Sequence, residues 1–232
     1  MIRVANAPCS WGILEFAGGA KPAGYATVLS GKWARDSFKG VELAGKVLGI
    51  IGLGRVGREV AGRAVAFGMT VVAYDPIVDP ADAWVAGTNM VSFEELILLS
   101  DWISVHTPLD AATKQMIGPT ELAAMKTGVF LVNVARGGII DEHALADALD
   151  GGKVSGVALD VFETEPPPAD HRLFKHPRVV VSPHLGGQTV DAQRRVATDV
   201  AESIGLALSR GEIRDAVNVV PERGTGLSKP LD

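Results

Sequence analysis

Between Val47 and Ser182 the chain alternates between two hydrophobic periodicities. Short, nearly continuous apolar runs rich in β-branched residues, "VLGIIG", "TVVAYD", "DWISVHTP", "GVFLVNVA", "VSGVALDVF" and "RVVVSP", predict strands covered on both faces. Between them, apolar positions recur at helical spacing. Val56, Val60 and Ala64 repeat every four residues, and Gly68 follows where a left-handed cap is cheap. "SFEELILLS" predicts a short helix from Ser92. Asp141 can cap "EHALADALD", in which Leu145 and Leu149 share a face, and Gly151–Gly152 end it. Farther on, Val196, Val200, Ile204 and Leu208 form one apolar stripe along a long helix. Strands and helices alternating in this order predict an α/β fold with a doubly wound parallel sheet.

Composition narrows the classes of function. The chain has 232 residues, 47% hydrophobic and 21% charged, enough apolar material for a substantial core. A net charge of −5 with no lysine or arginine run argues against a nucleic-acid surface. Cys9 is the only cysteine, which excludes an internal disulfide framework and a cysteine-based zinc site. No apolar run approaches the roughly 20 residues that span a bilayer, and "MIRVANAPCSWG" lacks the apolar middle of a secretory signal. The expectation is a cytoplasmic protein without a metal site.

The stretch "KVLGIIGLGRVGREVAGRAVAFGMTVVAYD" carries the first specific chemistry. Gly52, Gly54 and Gly57 follow a strand and open an amphipathic helix within one βαβ unit. Gly52 permits the tight turn, Gly54 removes the side chain that would hold a pyrophosphate off the backbone, and Gly57 lets the helix approach the sheet. The free amides of the helix start then face the phosphates, a dipole contribution of roughly 0.3–2 kcal/mol. Asp75, 23 residues past Gly52, suits the two ribose hydroxyls. No basic residue follows it in "YDPIVDP", so a 2′-phosphate would meet an unshielded carboxylate. This is a Rossmann-type turn that favours NAD over NADP.

Ligands of such sheets lie beyond the carboxyl ends of the strands. The segments there are "HTPLDAAT", "ARGGIIDE", "DVFETEPP" and "PHLGGQT", which place a guanidinium, several carboxylates and an imidazole around one crevice. With "GKW", "GVELAGKVLGIIGLGRVG", "VNVARGGIIDEHALADAL", "GVALDVFETEP" and "VVVSPHLGGQT" in order, residues from about 30 to 220 resemble the D-specific 2-hydroxyacid dehydrogenases. Phosphoglycerate and glyoxylate/hydroxypyruvate dehydrogenases belong to that family.

The resemblance implies hydride transfer between NAD(H) and a small 2-hydroxy or 2-oxo acid, and it implies roles. Arg136 would grip the acid's carboxylate and carbonyl, a task for which a planar guanidinium fork is suited. His184 would protonate the carbonyl oxygen in reduction and act as base in reverse, with Glu165 on its other ring nitrogen favouring imidazolium. Residues alone leave Glu163 and Glu165 open as that partner. Arg55 and Val56 match pyrophosphate contacts, and Thr107, Pro108 and Thr113 match a cofactor-side loop. Val134 and Ala135 match backbone beside the nicotinamide, and Asp160 matches a contact to its carboxamide. Gly186 and Gly187 complete the cofactor-binding set. His106, His143, His171 and His176 read as structural or exposed, Asp141 and Glu142 as helix-capping residues, and Met69, Met90, Met116 and Met125 as core filler.

In this family the nucleotide domain is inserted into a substrate domain built from both chain ends, and the resemblance leads to the expectation that this second domain is largely absent here. Residues 1–29 resemble instead the start of inosose dehydratase-like sugar-phosphate isomerase/epimerase barrels, although a barrel needs about 250 residues. The expected organisation is an arm over 1–29, a nucleotide domain over 30–220 and a partly mobile tail over 221–232. Turnover is then expected to be weak or absent. The alternative is a non-catalytic, dimerising NAD-binding fragment. A homodimer is implied by resemblance in either case. A sugar isomerase would require a divalent metal, for which the later sequence offers no ligand set.

Overall fold

The computed structural model describes residues 21–38, 40–78, 85–213, 219–221 and 228–230, the backbone alone for 21–23 and from 219 on. Cys9, most of the 1–29 arm and most of the 221–232 tail lie outside the described residues. The chain divides into two compact units, one ending at Gly186 and the other running on from Gly187.

Among the described residues, the first unit holds seven strands: β1 (Val47–Ile51), β2 (Thr70–Tyr74), β3 (Thr88–Met90), β4 (Trp102–Val105), β5 (Val129–Asn133), β6 (Val154–Leu159) and β7 (Val179–Val181). They form one sheet in the order β3-β2-β1-β4-β5-β6-β7, and every pairing is parallel. All six strands expected from apolar runs are present. β3 was not foreseen, because "TNM" is a partly exposed three-residue edge strand with no apolar run to mark it. The helices of this unit are α1 (Lys21–Leu29), α2 (Arg55–Ala66), α3 (Phe93–Leu99), α4 (Pro119–Ala124) and α5 (Glu142–Asp150).

Two apolar clusters sandwich the sheet. Leu48 and Ile50 of β1 meet Leu53, Val60, Ala61 and Ala64 of the α2 side. Ile51 joins the cluster with Leu96 of α3, Ile103 of β4, and Leu145 and Leu149 of α5. Each large aliphatic side chain fully buried this way contributes about 1.5–3 kcal/mol. The helix ends follow local chemistry. Ser92 and Glu95 form a reciprocal capping box at α3. Asp141 accepts the amides of His143 and Ala144 at α5, and Gly151–Gly152 close it. Gly68, at φ +75°, follows α2 as its left-handed stop.

The second unit contains α6 (Val190–Arg210), capped by Thr189 on the Ala192 amide and ended by Gly211 at φ +65°, and an antiparallel pair, β8 (Val219–Pro221) with β9 (Ser228–Pro230). Its expected stripe of Val196, Val200, Ile204 and Leu208 is present, with each residue more than half exposed. No described helix is long and apolar enough to cross a membrane.

Candidate active site

The chain leaves β1 toward β2 and β3 but returns on the other side of β1 to build β4 to β7. The connections therefore diverge beyond the carboxyl ends of β1 and β4 and leave a crevice there. A cleft of about 270 Å³ opens at this point, lined by Val56, His106, Thr107, Pro108, Val134, Ala135 and Arg136.

The glycine turn borders it. Gly52 sits at φ +93°, and a Cβ there would lie 2.8 Å from the His106 backbone. A Cβ on Gly57 would lie 2.0 Å from the Gly52 carbonyl oxygen, so α2 packs directly on the turn. Gly54 differs: a Cβ there would meet open space. As the N-cap of α2, Gly54 also brings no side chain to the first-turn amides, unlike Ser92, Asp141 and Thr189 at their helices. Asp75 accepts the Leu53 amide at 2.8 Å on one oxygen and the Ile77 and Val78 amides at 2.9 and 3.1 Å on the other. The carboxylate is thus fixed against the glycine turn, and the oxygen facing Leu53 keeps acceptor capacity. Among the described residues, the buried hydroxyl of Thr107 has no partner. An orphaned hydroxyl on a residue that lines the cleft, open space at Gly54 and uncapped helix amides together fit a dinucleotide.

Other expected cofactor residues sit differently. The Thr113 hydroxyl is committed within its own loop, to the Pro108 carbonyl at 2.7 Å and to Asp110. It shapes the loop that presents Thr107 and Pro108 and does not line the cleft. The Gly186 amide donates to Asp160 at 2.8 Å. Gly187 belongs to the second unit.

Asp160 is the hub of the histidine turn. It is 1% exposed, and its carboxylate receives Ser182 Oγ at 2.5 Å and the Leu185 and Gly186 amides at 2.8 Å, while its carbonyl accepts the His184 amide at 2.8 Å. This holds His184 in the left-handed region, at φ +53°. Such strain in a residue other than glycine persists only where surroundings impose it. Sequence reasoning missed the hub because the donors lie 22 to 26 residues downstream.

His184 Nδ1 lies 2.7 Å from Glu165 Oε2, and Glu165 Oε1 accepts the Phe162 amide at 3.1 Å. Glu165, not Glu163, is therefore the histidine's partner. Burial pushes the Glu165 carboxyl up, but the bonds from His184 and Phe162 and the charges of His184 and Arg136 outweigh it and hold the group below its ordinary value. With Nδ1 engaged, Nε2 is the nitrogen left to exchange a proton. The turn bearing Arg136 is set by buried Asn133, which accepts the Ala135 amide and donates to the Arg136 carbonyl. Arg136 is exposed, with one Nη donating to the Ala135 carbonyl at 2.6 Å and the rest of its fork available. An apolar cavity of about 320 Å³, walled by Phe162, Pro166, Phe174 and Val181, adjoins the Glu165–His184 pair.

One expectation needs correcting and another is refined. His106, read as structural or exposed, is structural: its ring is bonded to Ser104 Oγ at 2.8 Å beside the cleft that the residue helps to line. Burial pushes this imidazole down to about 4, so it is neutral near pH 7 and does not compete with His184 as an acid. Glu142 was read as a capping residue, but Asp141 alone caps α5 and Glu142 turns away.

A family model described as "D-isomer specific 2-hydroxyacid dehydrogenase, NAD binding domain" matches residues 16–186. The chain belongs to this family. It is 50% identical over 198 residues to D-3-phosphoglycerate dehydrogenase of Mycobacterium tuberculosis H37Rv, covering 85% of this chain and 37% of that protein. With the Bacillus subtilis D-3-phosphoglycerate dehydrogenase it shares 48% over 199 residues, 85% of this chain and 38% of the relative. Among solved structures, a glyoxylate reductase from Paecilomyes thermophila superposes with a TM-score of 0.87 at 38% identity, covering 93% of this chain and 65% of the other. An NAD-dependent formate dehydrogenase from Staphylococcus aureus, in complex with NAD, gives 0.83 at 32% identity, with 92% and 64% covered. The chain spans a little over a third of these curated relatives' length. The cofactor of this 2-hydroxyacid dehydrogenase domain is NAD, as the glycine turn and Asp75 suggested.

Proposed function

We propose that the chain is the cofactor-binding and proton-transferring part of an NAD-dependent oxidoreductase acting on a small 2-hydroxy or 2-oxo acid. The observation that carries this reading is the 2.7 Å contact between His184 and Glu165 at the strand ends that also bear Arg136. The uncapped amides of α2, the open approach at Gly54, the Thr107 hydroxyl and the remaining acceptor on Asp75 would hold the dinucleotide. When bound, the nicotinamide supplies or receives the hydride.

The protein's own residues perform the rest. Arg136 pairs with the substrate carboxylate through its free guanidinium donors and sets the carbonyl carbon in the cleft. His184 Nε2–H donates to the carbonyl oxygen as the alcohol forms, and in oxidation the neutral Nε2 takes that proton back. Glu165 keeps the ring oriented and stabilises imidazolium between these states. Such acid–base assistance is worth about 10²–10⁴ in rate. Asp160 holds the turn, and Thr113 and Gly186 act through loop geometry.

The names of the relatives point to 3-phosphoglycerate and glyoxylate as substrates to try. Arg136 is exposed and the His184 side chain is 48% exposed, so turnover by this chain is expected to be weak, water competing at the reacting groups. A non-catalytic, dimerising NAD-binding module is the second reading favoured by that exposure. Calorimetry with NAD and NADP, followed by steady-state assays with glyoxylate, hydroxypyruvate and 3-phosphohydroxypyruvate, separates the two. NAD binding preferred over NADP, with turnover abolished in His184→Ala, supports the enzyme; binding without turnover supports the module. A homodimer in the cytoplasm completes the proposal, and light scattering after gel filtration tests the dimer.

A further inference from the structure

Behind the Glu165–His184 pair lies a second carboxylate–imidazole pair that the proposed reaction does not use. Glu142 and His171 are both largely buried, with side chains 11% and 17% exposed and Nε2 2.9 Å from Oε2. His171 Nδ1 faces the Leu173 amide at 3.4 Å, which places the ring hydrogen on Nε2, donated to Glu142. The ring packs against Phe162 and Phe174, at centroid distances of 5.7 and 5.2 Å, and those two rings also meet each other at 5.4 Å.

The other Glu142 oxygen accepts the Glu163 amide at 2.7 Å. The amide just before it, that of Phe162, donates to Glu165. Two successive peptide N–H groups therefore tie one short segment to two carboxylates, Glu142 behind and Glu165 in front. Gly137 grips the same segment from the Arg136 turn: a Cβ there would lie 1.8 Å from the Phe162 oxygen and 2.6 Å from the Glu163 nitrogen. None of Glu142, Glu163 and His171 lines the nucleotide cleft.

We infer that Glu142, oriented by His171, is a positioning residue for the reaction: it sets the Phe162–Glu163 segment that aims Glu165 at His184. The inference rests on the proposed acid–base role of that pair. Glu142 touches neither member and acts through the loop.

The test uses the full chain with isotopic labelling, following the Glu165 carboxyl and the His184 ring nitrogens by NMR across pH, with NAD affinity measured on the same samples. In Glu142→Ala the Glu165 midpoint moves up toward the ordinary carboxylate range and its coupling to His184 shrinks, while NAD affinity stays within about twofold. Where turnover is measurable, kcat falls about tenfold with KM for NAD unchanged. Glu142→Gln can still accept the Glu163 amide on its carbonyl oxygen but turns its NH2 against the His171 Nε2–H, so its titration falls between those of the parent and Glu142→Ala. Unchanged Glu165 and His184 titrations in folded Glu142→Ala overturn the proposal. If Glu142→Ala fails to fold, His171→Phe, which keeps the aromatic packing, decides: a parent-like titration overturns the clamp and an upward Glu165 midpoint supports it. A parent chain in which Glu165 and His184 titrate independently defeats the underlying acid–base reading itself, and the clamp with it.

Discussion

Glu165 Oε2 and His184 Nδ1 lie 2.7 Å apart although 19 residues separate them in the chain. The contact joins the loop after β6 to the turn after β7, so it records the register of two adjacent parallel strands. It also sets the first prediction. The Glu165 carboxyl is held below its ordinary value, so it binds a proton less readily in the folded protein than in the unfolded chain. Its stabilising contribution is present above the ordinary carboxylate value and is lost as pH falls through the depressed folded value. Chemical denaturation from pH 7 into the acid range is expected to separate the parent from Glu165→Gln at neutral pH and to bring the two curves together in acid. Parallel curves throughout count against the pair.

The backbone of His184 supplies a second prediction. Asparagine tolerates the left-handed region at least as well as histidine, whereas a β-branched side chain does not. His184→Asn is expected to fold within roughly 0.5 kcal/mol of the parent, and His184→Val to lose about 1–2 kcal/mol more. Both substitutions remove the proton carrier, so turnover should fall at least about 10²-fold in each. Urea denaturation beside an initial-rate assay separates strain from chemistry, because only the first readout should rank the two variants.

Gly54 and Gly57, three residues apart, are expected to fail in opposite ways. An alanine at 57 would push its Cβ against the Gly52 carbonyl at 2.0 Å, so α2 must move off the turn, a loss of about 1–3 kcal/mol. An alanine at 54 meets nothing among the described residues, and the extended backbone there, at φ −72°, is open to L residues. Gly54→Ala should keep the parent's melting temperature and lose NAD affinity, while Gly57→Ala should lose both. Full NAD affinity in Gly54→Ala would show that the open space there is not where the pyrophosphate approaches.

These contrasts follow how much the sequence could convey. The sheet was legible because buried parallel strands are nearly unbroken apolar runs, and the glycine turn because its chemistry is local to about thirty residues. The same logic explains the misses. β3 is an edge strand with little to bury, and the six-residue α4 has only Leu122 fully inward, too little for a helical period. The site was legible by residue type but not by partnership. Nothing near Glu163 or Glu165 says which one reaches His184, because the answer depends on the path of the loop after β6. Glu142 stands beside a true cap and reads like one, yet its partners are 21 and 29 residues away. Thr113 carries a hydroxyl in the expected loop, and only the geometry reveals that Pro108 and Asp110 already hold it.

Asp160 offers the sharpest separation of positioning from contact chemistry. Its buried carboxylate takes three donors from the 182–186 turn, more than an amide of the same shape can satisfy. In Asp160→Asn the new NH2 must face the Gly186 amide on one side, or Ser182 Oγ and the Leu185 amide on the other, leaving buried donors opposed. The expected loss is about 2–4 kcal/mol, at the upper end for a single buried hydrogen-bonding group because the acceptor is charged. If the hub positions His184, the Leu185 and Gly186 amides should lose hydrogen-exchange protection, and the Glu165–His184 coupling should vanish even with no nucleotide present. If Asp160 matters only as a cofactor contact, both readouts stay at parent values and only NAD affinity falls. Exchange mass spectrometry on the chain without nucleotide distinguishes these outcomes before any activity is measured.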